Sequence, residues 1–311
     1  MAMQFIDAGR IRRGLDFPGL IAHLRAAHRQ PPPAVDRVLM QNRSAAGSDN
    51  AMLVWPAWQP GSNLGVKVVT MFPDNRTTPA VQAVYLLFDG ATGAPQAVID
   101  GTELTYWKTA ADAALGADLL ARSDVANLLM VGAGALAPYL IGAYQAIRPG
   151  LRQVQIWNRT QGKADQVAAG VRGTPAQGVA DLQAAAFDAD IICCATSSLA
   201  PLIHGKWLRP GTHLDLIGGF TPAMRETDDE AVRRSMLFVD SRWFTTDHVG
   251  DLTQPLARGV IQRAHVLADL FELCVGSHAG RTDAAQITLC KYGGGAHLDL
   301  MAAQYIASHT G

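Results

Sequence analysis

A glycine-rich string at residues 132–137 carries the clearest chemical signal in this chain of 311 residues. It has the pattern G-x-G-x-x-A, follows the apolar run 128–131 and opens a helical stretch. In that context the first glycine permits a tight turn, the second lets a pyrophosphate approach the backbone, and the helix N-terminus faces the phosphates. A βα turn without a ligand is the alternative. We predict dinucleotide binding by Gly132, Ala133, Gly134, Ala135 and Leu136.

The end of the next predicted strand, QVQIW, indicates which dinucleotide binds. NAD-binding proteins place an Asp or Glu near this point to hold the ribose 2′-hydroxyl. Here the strand is followed by Asn158, Arg159 and Thr160, with no carboxylate. Arg159 can pair with a 2′-phosphate, with help from the Asn and Thr side chains; a solvated arginine at the start of the next helix is the alternative. We predict that NADP(H) is preferred and that NAD(H) remains possible.

Two cations stand alone in apolar strand-like segments. Lys67 lies in LGVKVV and Arg37 lies in VDRVLM. A buried cation is costly unless it meets an anion, so both residues are candidates for anion binding. The alternation in VKVV also allows Lys67 to face outward. The register of Arg37 is less secure because SAAGSDN lengthens the following turn, and Arg43 is the competing residue.

Composition excludes several classes of protein. Lys and Arg total 26 against 27 Asp and Glu, so the chain lacks the basic excess of a nucleic-acid-binding protein. Residues 125–147 carry no charge, but glycines and a proline interrupt them, and a buried strand and helix explain them better than a membrane span. The four cysteines show no C-x-x-C spacing, and the N-terminal residues lack the apolar core of a signal peptide. We expect a soluble, cytoplasmic protein.

The order of patterns along the chain predicts two domains. Strand-like segments fill most of the first hundred residues, a helix is predicted over 102–122, and strands then alternate with helices. Such alternation is typical of βαβ units in a parallel sheet. We predict an α/β fold: a Rossmann-type doubly wound parallel sheet at 114–290, and a second, α+β domain formed by 1–113 with 291–311, which binds substrate and dimerises. The last twenty residues are predicted to form a helix that returns to the first domain.

Several motifs, in this order and spacing, resemble the ornithine cyclodeaminase/mu-crystallin family over nearly the whole chain. They are LGVKVVTMFPDN, LTYWKTAADAALGA, VGAGALA, VQIWNRT, PLIHGKWLRPGTHLDLIGG and RETDDE. The resemblance implies a homodimer whose N-terminal domain forms the interface and the substrate pocket. It also implies a nicotinamide cofactor and chemistry at the Cα–N bond of a small amino or imino acid.

The resemblance assigns roles to individual residues. Arg37 and Lys67 match positions that hold the substrate carboxylate, and Lys67 is also the predicted catalytic residue. Lys108 stands where the family usually has Arg, so the charge is kept while the bidentate fork is lost. Thr109 is expected beside the cofactor phosphates. Further cofactor-binding residues are predicted to be Ala195, Thr196 and Gly219.

One departure from the family bears on the reaction. Ornithine cyclodeaminases carry an aspartate just after the Gly-Gly that ends the last cofactor-facing strand, whereas this chain has Phe220. Phenylalanine cannot handle the protons of an attacking amine, and we expect it to line a drier substrate pocket. Asp215 and Asp228 are poor substitutes, because one lies inside the strand and the other begins the next helix. An acid that reaches the pocket from elsewhere is the alternative.

Other polar residues carry weaker signals. His204, His213, His248 and His297 are scattered without ligand spacing, so no metal site is predicted. The glycine run 293–295 suits either close approach to the nicotinamide or a simple helix-entry loop.

These observations predict an NADP(H)-dependent reductase of cyclic imino acids, which converts Δ1-pyrroline-2-carboxylate or Δ1-piperideine-2-carboxylate to proline or pipecolate. Two alternatives remain. One is an NAD-dependent ornithine cyclodeaminase that forms L-proline and ammonia from L-ornithine. The other is a non-enzymatic, NADPH-dependent small-molecule binder like mu-crystallin.

Overall fold

The computed structural model describes residues 3–44 and 47–310. The chain divides into two compact units. Unit 1 comprises Met1–Thr109 and Gly295–Gly311, and unit 2 comprises Ala110–Gly294. Each boundary lies four residues from the one expected from the sequence, at 109 instead of 113 and at 294 instead of 290.

The described residues form fifteen strands and eleven α-helices. The strands are β1 (Gln4–Ile6), β2 (Ala34–Val35), β3 (Val38–Arg43), β4 (Asp49–Gln59), β5 (Asn63–Met71), β6 (Val81–Asp89), β7 (Pro95–Asp100), β8 (Asn127–Val131), β9 (Gln153–Trp157), β10 (Ala176–Val179), β11 (Ile191–Cys194), β12 (His213–Leu216), β13 (Met236–Val239), β14 (Val266–Asp269) and β15 (Thr288–Lys291). The helices are α1 (Ala8–Gly14), α2 (Phe17–Ala27), α3 (Gly101–Leu120), α4 (Ala137–Ile147), α5 (Gln161–Gly170), α6 (Leu182–Asp188), α7 (Asp229–Arg234), α8 (Arg242–Thr245), α9 (Gly250–Ala257), α10 (Leu270–Val275) and α11 (Ala296–His309).

Unit 1 is built on a largely antiparallel sheet. Its described strands lie in the order β1-β7-β6-β5-β4-β2, with β3 also paired to β4, and only the β1–β7 pair is parallel. The long strands β5 (NLGVKVVTM) and β6 (VQAVYLLFD) are rich in β-branched and aromatic residues, which suit a pleated, half-buried surface. Residues 90–94 form the turn that joins β6 and β7 as a hairpin.

The two faces of this sheet differ in what covers them. Helix α11 contacts β4, β5 and β6 and packs on α2, so one face of the sheet is buried. Side chains on the opposite face remain partly open to solvent. There, the exposed fractions are 68% for Phe5, 50% for Val38, 58% for Met40 and 49% for Trp58. Period-2 alternation places all four on the face away from α11.

Unit 2, which is described throughout, contains an eight-stranded parallel sheet in the order β10-β9-β8-β11-β12-β15-β13-β14. The chain runs from β8 to β9 and β10 at one edge, then returns to β11 and β12 on the other side of β8. The strand order therefore reverses between β8 and β11, where open α/β sheets bind ligands beyond the carboxyl ends of their strands. This sheet, together with the α+β architecture of unit 1, confirms the predicted fold class.

The uncharged stretch 125–147 contains β8 and the whole of α4, as predicted from its breakers. Both elements contribute to the core of unit 2, with Leu129, Val131, Leu140 and Ile141 at most 2% exposed. Within residues 3–44 and 47–310, no helix combines the length and the apolar character that a membrane span needs.

Candidate functional site

The predicted dinucleotide-binding turn begins where β8 ends, beside the point of strand-order reversal in unit 2. Gly132 has a φ of +110°, which favours glycine, and its N–H donates to the Trp157 carbonyl at 2.8 Å. A Cβ at this position would lie 2.6 Å from the carbonyl oxygen of Ala195, the residue that follows β11. Glycine is thus required for the close approach of the two loops that border the crevice.

The remainder of the glycine-rich string leaves space for a ligand. Gly134 and Ala135 are exposed, and a Cβ on Gly134 would meet nothing within 4 Å. Leu136 occupies the N-cap position of α4 without a side-chain cap bond. The N–H of Ala133 donates to Asn158 Oδ1 at 3.3 Å, which ties this turn to the end of β9. Open backbone at the N-terminus of an eleven-residue helix fits a bound pyrophosphate.

The loop after β9 presents a cation and no acid. Residues 158–164 contain no Asp or Glu, and both Arg159 and Thr160 are exposed. Asn158 Nδ2 donates to the Thr160 carbonyl at 3.0 Å, which shapes the turn. Arg159 makes no hydrogen bond or ion pair with any residue that the structure describes. An exposed, uncommitted guanidinium fits a 2′-phosphate, and its assignment to NADP(H) stays a prediction.

Glu226 ties together the two loops that follow β11 and β12. Its Oε1 accepts hydrogen bonds from the Thr196 N–H at 2.7 Å and from Thr196 Oγ1 at 2.8 Å. Its Oε2 accepts the Gly218 and Gly219 N–H groups at 2.8 Å and 3.3 Å. The side chain belongs to a fully buried residue, and burial raises the pKa of this carboxyl group while Lys291 opposes that shift. The sequence analysis recorded RETDDE only as a family motif and missed this role.

A buried ion pair packs against the same loops and is hydrogen-bonded to the backbone of Glu226. Lys291, the last residue of β15, places Nζ 3.2 Å from Asp251 Oδ2, and both side chains are fully buried. Asp251 Oδ1 accepts the Glu226 N–H at 2.8 Å. A Cβ on Gly219 would lie 2.6 Å from Asp251 Oδ2, so this glycine is needed for the packing of the ion pair against the loop.

The position that bears an aspartate in cyclodeaminases holds an exposed ring here. Phe220 follows β12 and is 63% exposed. Asp215 is fully buried within β12 and accepts a hydrogen bond from the Tyr292 hydroxyl at 2.9 Å. Asp228 caps α7 by accepting the Ala231 N–H at 2.8 Å. Both acids are therefore committed to structural contacts in unit 2.

The structure also shows the contacts of the glycine run before α11 and the burial of two of the histidines. The buried carboxylate of Asp240 accepts the N–H groups of Gly293 and Gly294 at 2.8 Å and 2.6 Å, which fixes the loop that leads toward α11. His213 and His297 are buried, at 0% and 1% exposure. Over the described parts of the chain, no group of three or more His, Cys, Asp or Glu residues could hold a metal ion.

In unit 1, Lys67 and Lys108 meet on one carboxylate. Lys67 Nζ, on β5, lies 2.7 Å from Asp299 Oδ2, and Lys108 Nζ, on α3, lies 3.2 Å from Asp299 Oδ1. The exposed fraction is 4% for each lysine and 0% for the aspartate. Lys67 also lies 5.4 Å from the centroid of the Trp55 ring, on the neighbouring strand β4. The alternative that Lys67 faces outward is therefore wrong.

The electrostatics of this cluster follow from its burial. Burial lowers the pKa of Lys67 to about 8, with a further lowering by Lys108 and an opposing effect of Asp299. Burial alone would raise the pKa of Asp299, but Lys108 and Lys67 hold it below its ordinary value. Burial, His28 and Lys108 lower the pKa of His297 to about 3, against an opposing effect of Asp299. The cluster thus contains two basic side chains and one acidic side chain, an excess of one cationic group.

The other predicted residues of unit 1 are less enclosed. Arg37 lies between β2 and β3 and is exposed, so the expected cost of burying it inside an apolar strand does not arise. The registers on either side of it place Arg37 opposite Trp55, which itself pairs with Lys67, so all three belong to one face of the sheet. Arg43 ends β3, exposed, opposite Asp49. Thr109 is half-buried in α3, and its role at the cofactor stays a prediction.

Asp299 is the residue of the cluster that the sequence analysis missed. The signal was present: a lone acid stands in the apolar segment AHLDLMAAQYIA of a helix predicted to return to the first domain. A buried acid needs a cationic partner, and Lys67 and Lys108 were already candidate anion-binding residues. Their separation from it by about 190 residues or more of sequence concealed the pairing.

Comparison with known proteins gives a consistent result. The sequence model of the ornithine cyclodeaminase/mu-crystallin family matches residues 20–310. The chain is 42% identical over 310 residues to Δ1-pyrroline-2-carboxylate reductase of Paracoccus denitrificans, covering 98% of this chain and 96% of that one. It is 33% identical over 258 residues to ketimine reductase mu-crystallin of Mus musculus, covering 81% and 78%.

A solved structure extends this likeness to three dimensions. Thermococcus litoralis Δ1-pyrroline-2-carboxylate reductase, in complex with NADH and L-proline, has a TM-score of 0.91 to this chain at 28% identity, covering 99% of this chain and 97% of that one. The match of sequence, motifs and fold extends over both units. The chain is a member of the ornithine cyclodeaminase/mu-crystallin family.

Proposed function

We propose that this protein is an NADP(H)-dependent reductase of cyclic imino acids that converts Δ1-pyrroline-2-carboxylate or Δ1-piperideine-2-carboxylate to proline or pipecolate. The observation that carries the proposal is the buried cluster of Lys67, Lys108 and Asp299, whose net positive charge suits one substrate carboxylate. The 42% identity to a Δ1-pyrroline-2-carboxylate reductase supports it.

The residues of unit 1 bind and orient the substrate. Lys67 and Lys108 contact the carboxylate, and Arg37, on the same face of the sheet, adds a third positive charge. Fixing the carboxylate restricts the orientation of the C=N carbon, and such positioning is a large part of catalysis in a two-reactant step. The nicotinamide cofactor, when bound, supplies the hydride. Lys67, with its pKa lowered to about 8, is protonated at neutral pH and is the group that we assign to proton delivery to the imine nitrogen.

The residues of unit 2 hold the cofactor. In the proposed arrangement the turn Gly132–Leu136 binds the pyrophosphate and Arg159 binds the 2′-phosphate, with Asn158 and Thr160 beside it. The remaining assigned residues are Ala195, Thr196 and Gly219 in unit 2 and Thr109 in unit 1. The uncommitted guanidinium of Arg159 and the absence of an acid in its loop favour NADP(H) over NAD(H).

The rival reaction is ornithine cyclodeamination. It requires an acid near the Cα nitrogen and space for the second ammonium group of ornithine. At the corresponding position this chain has the ring of Phe220, and Asp215 and Asp228 are engaged elsewhere. A phenyl ring supplies neither a counter-ion for that ammonium group nor a group that exchanges protons with the Cα nitrogen. These features favour reduction of a preformed ring imine.

We also propose a homodimer formed through unit 1. The face of its sheet that lies away from α11 exposes Phe5, Val38, Met40 and Trp58, and an open apolar face of this kind is typical of an association surface. The expected result for the purified protein is a dimer in analytical ultracentrifugation, and Met40→Asp should shift it toward monomer. A monomer at micromolar concentration would contradict the proposal.

We also place the protein in the cytoplasm. The four cysteines are buried free thiols, which suits a reducing compartment.

One assay tests the reaction. Purified protein is mixed with NADPH or NADH and each of the two cyclic ketimines, and cofactor consumption is followed by absorbance. A parallel reaction with L-ornithine and NAD or NADP is analysed for ammonia. Consumption of NADPH with a ketimine, and no ammonia, is the expected outcome. Ammonia from ornithine without net change of cofactor would establish the cyclodeaminase, and NADPH binding without either reaction would establish a binding protein.

A further inference from the structure

The chain contains few lysines, and three of the five are buried. There are five lysines among 26 basic residues. Lys163 and Lys206 are exposed, whereas Lys67, Lys108 and Lys291 are at most 4% exposed, and each of these three pairs with an aspartate. In unit 1 a single aspartate serves two of them.

We propose that Asp299 is a positioning residue of the substrate site, which holds the ammonium groups of Lys67 and Lys108 beside each other so that one substrate carboxylate can contact both. This inference rests on the proposed function, since it concerns the same carboxylate site. It adds a residue to that site and gives the residue a defined task.

The geometry supports this task. The two oxygens of Asp299 are divided between the lysines, with Oδ2 at 2.7 Å from Lys67 and Oδ1 at 3.2 Å from Lys108. Two ammonium groups brought together in a buried site repel each other strongly, and the attraction of both to a carboxylate that bridges them offsets that repulsion. The side chains of Lys67 and Lys108 come from β5 and α3, so the bridge from α11 joins three elements.

Asp299 is the principal anionic partner of Lys67 among the described residues of unit 1, because the other titratable groups nearby are neutral or cationic. On β6, Tyr85 is fully buried, and burial and Asp299 raise the pKa of its hydroxyl well above 10, so it is neutral. On α11, the pKa of His297 is lowered to about 3. Burial lowers the pKa of His28, the residue that follows α2, to about 4, so both histidines are neutral at pH 7. The other charged neighbours are Lys108 on α3 and Arg37 beyond Trp55, and both are cations.

Removal of the Asp299 charge should therefore change the protonation of Lys67. Asp299 raises the pKa of the Lys67 amine against the effect of burial. An opposite charge at this distance shifts a pKa by about one to three units. In Asp299→Asn the Lys67 amine should lose its proton near or below neutral pH, and the site should lose its hold on a carboxylate.

The direct test measures the lysines without any substrate. Protein labelled with ¹³C at lysine Cε contains five resonances, which Lys→Met variants assign, and the exposed Lys163 and Lys206 serve as internal references. The expected result is a titration midpoint of Lys67 that falls by about one to three pH units in Asp299→Asn and recovers in Asp299→Glu. An unchanged Lys67 midpoint in folded Asp299→Asn would overturn the proposal.

A second pair of variants covers the case in which Asp299→Asn does not fold. In the Lys108→Met background only one buried ammonium group remains in the cluster, so loss of the aspartate leaves less uncompensated charge. The Lys67 midpoint should be lower in the double variant Lys108→Met/Asp299→Asn than in Lys108→Met alone. Equal midpoints in these two variants would overturn the proposal as well.

Kinetics separate this inference from the proposed function. At pH 7 Asp299→Asn should raise KM for the ketimine at least about tenfold, shift the alkaline limb of the kcat/KM profile to lower pH, and leave the Kd of NADPH unchanged. A wild-type protein that reduces no ketimine would refute the proposed function, while the lysine titration would still decide the role of Asp299. An active wild type whose Asp299→Asn variant keeps its KM and pH profile would refute the positioning role alone.

Discussion

The Glu226 carboxylate accepts hydrogen bonds from two separate loops of unit 2, and Glu226→Gln should expose its contribution. The two oxygens accept four hydrogen bonds, two from Thr196 and one each from the N–H groups of Gly218 and Gly219. Glutamine keeps one oxygen, so one pair of donors then faces an NH₂ group. With roughly 1.5–3 kcal/mol for each hydrogen bond to a charged group, the loss of two bonds should lower the free energy of unfolding by about 3–6 kcal/mol.

The measurement compares two substitutions of the same kind. Urea unfolding of Glu226→Gln is set against Glu272→Gln, whose carboxylate in the same unit is 40% exposed and pairs with Arg242 at 2.8 Å. The control should lose no more than about 1 kcal/mol, because exposed ion pairs contribute little. NADPH binding, followed by its fluorescence, should weaken at least about tenfold in Glu226→Gln alone, since the loops that carry Thr196 and Gly219 lose their common anchor. If Glu226→Gln unfolds and binds NADPH like the control, the carboxylate does not organise these loops.

Four further predictions concern the proposed reaction. Arg159→Ala should weaken NADPH by about 1.5–3 kcal/mol and NADH far less, and equal losses in a binding titration would show that the loop is misassigned. Lys67→Met should lower kcat/KM for the ketimine about 100-fold with an unchanged Kd for NADPH, whereas the exposed Lys163→Met should match the wild type. In the wild type, kcat/KM should fall as the pH rises through about 8, because the Lys67 ammonium then loses its proton. Phe220→Asp should lower ketimine reduction at least about tenfold through repulsion of the substrate carboxylate, and ammonia release from L-ornithine by the unmodified protein would refute the reductase assignment.

Local sequence patterns were sufficient to predict the elements that bear the proposed cofactor-binding residues. The glycine turn after β8 and the strand QVQIW have strong signals of their own, because breakers and hydrophobic period depend on neighbouring residues. The strand β1 could not be predicted in this way. It has only three residues and is stabilised by parallel pairing with β7, which is some ninety residues away in sequence. Non-local pairing of this kind leaves no local pattern.

Residues of the candidate site could be predicted from the sequence only where the residue type was unusual for its local segment, such as a cation in an apolar strand. Lys67 stood out as a cation in an apolar strand, and the structure gives it a buried acid as partner. Arg37 stood out for the same reason, yet it is exposed, because a segment between two edge strands need not bury its side chains. Asp299 and Glu226 act through partners far away in sequence, so their roles follow only from the folded chain.

The ion pairs of Asp299 with Lys67 and Lys108 affect the order in which parts of the protein can fold during synthesis on the ribosome. Unit 2 is one continuous segment, but the helix that carries Asp299 is synthesised after it. Until α11 emerges, the nascent first unit contains two lysines whose common counter-ion does not yet exist. If β5 and α3 packed together before α11, the two ammonium groups would be buried without their counter-ion, so we expect the proposed substrate site to form only when α11 packs on the sheet. A nascent chain that ends before α11 should therefore bind cofactor through unit 2 before it can bind a carboxylate.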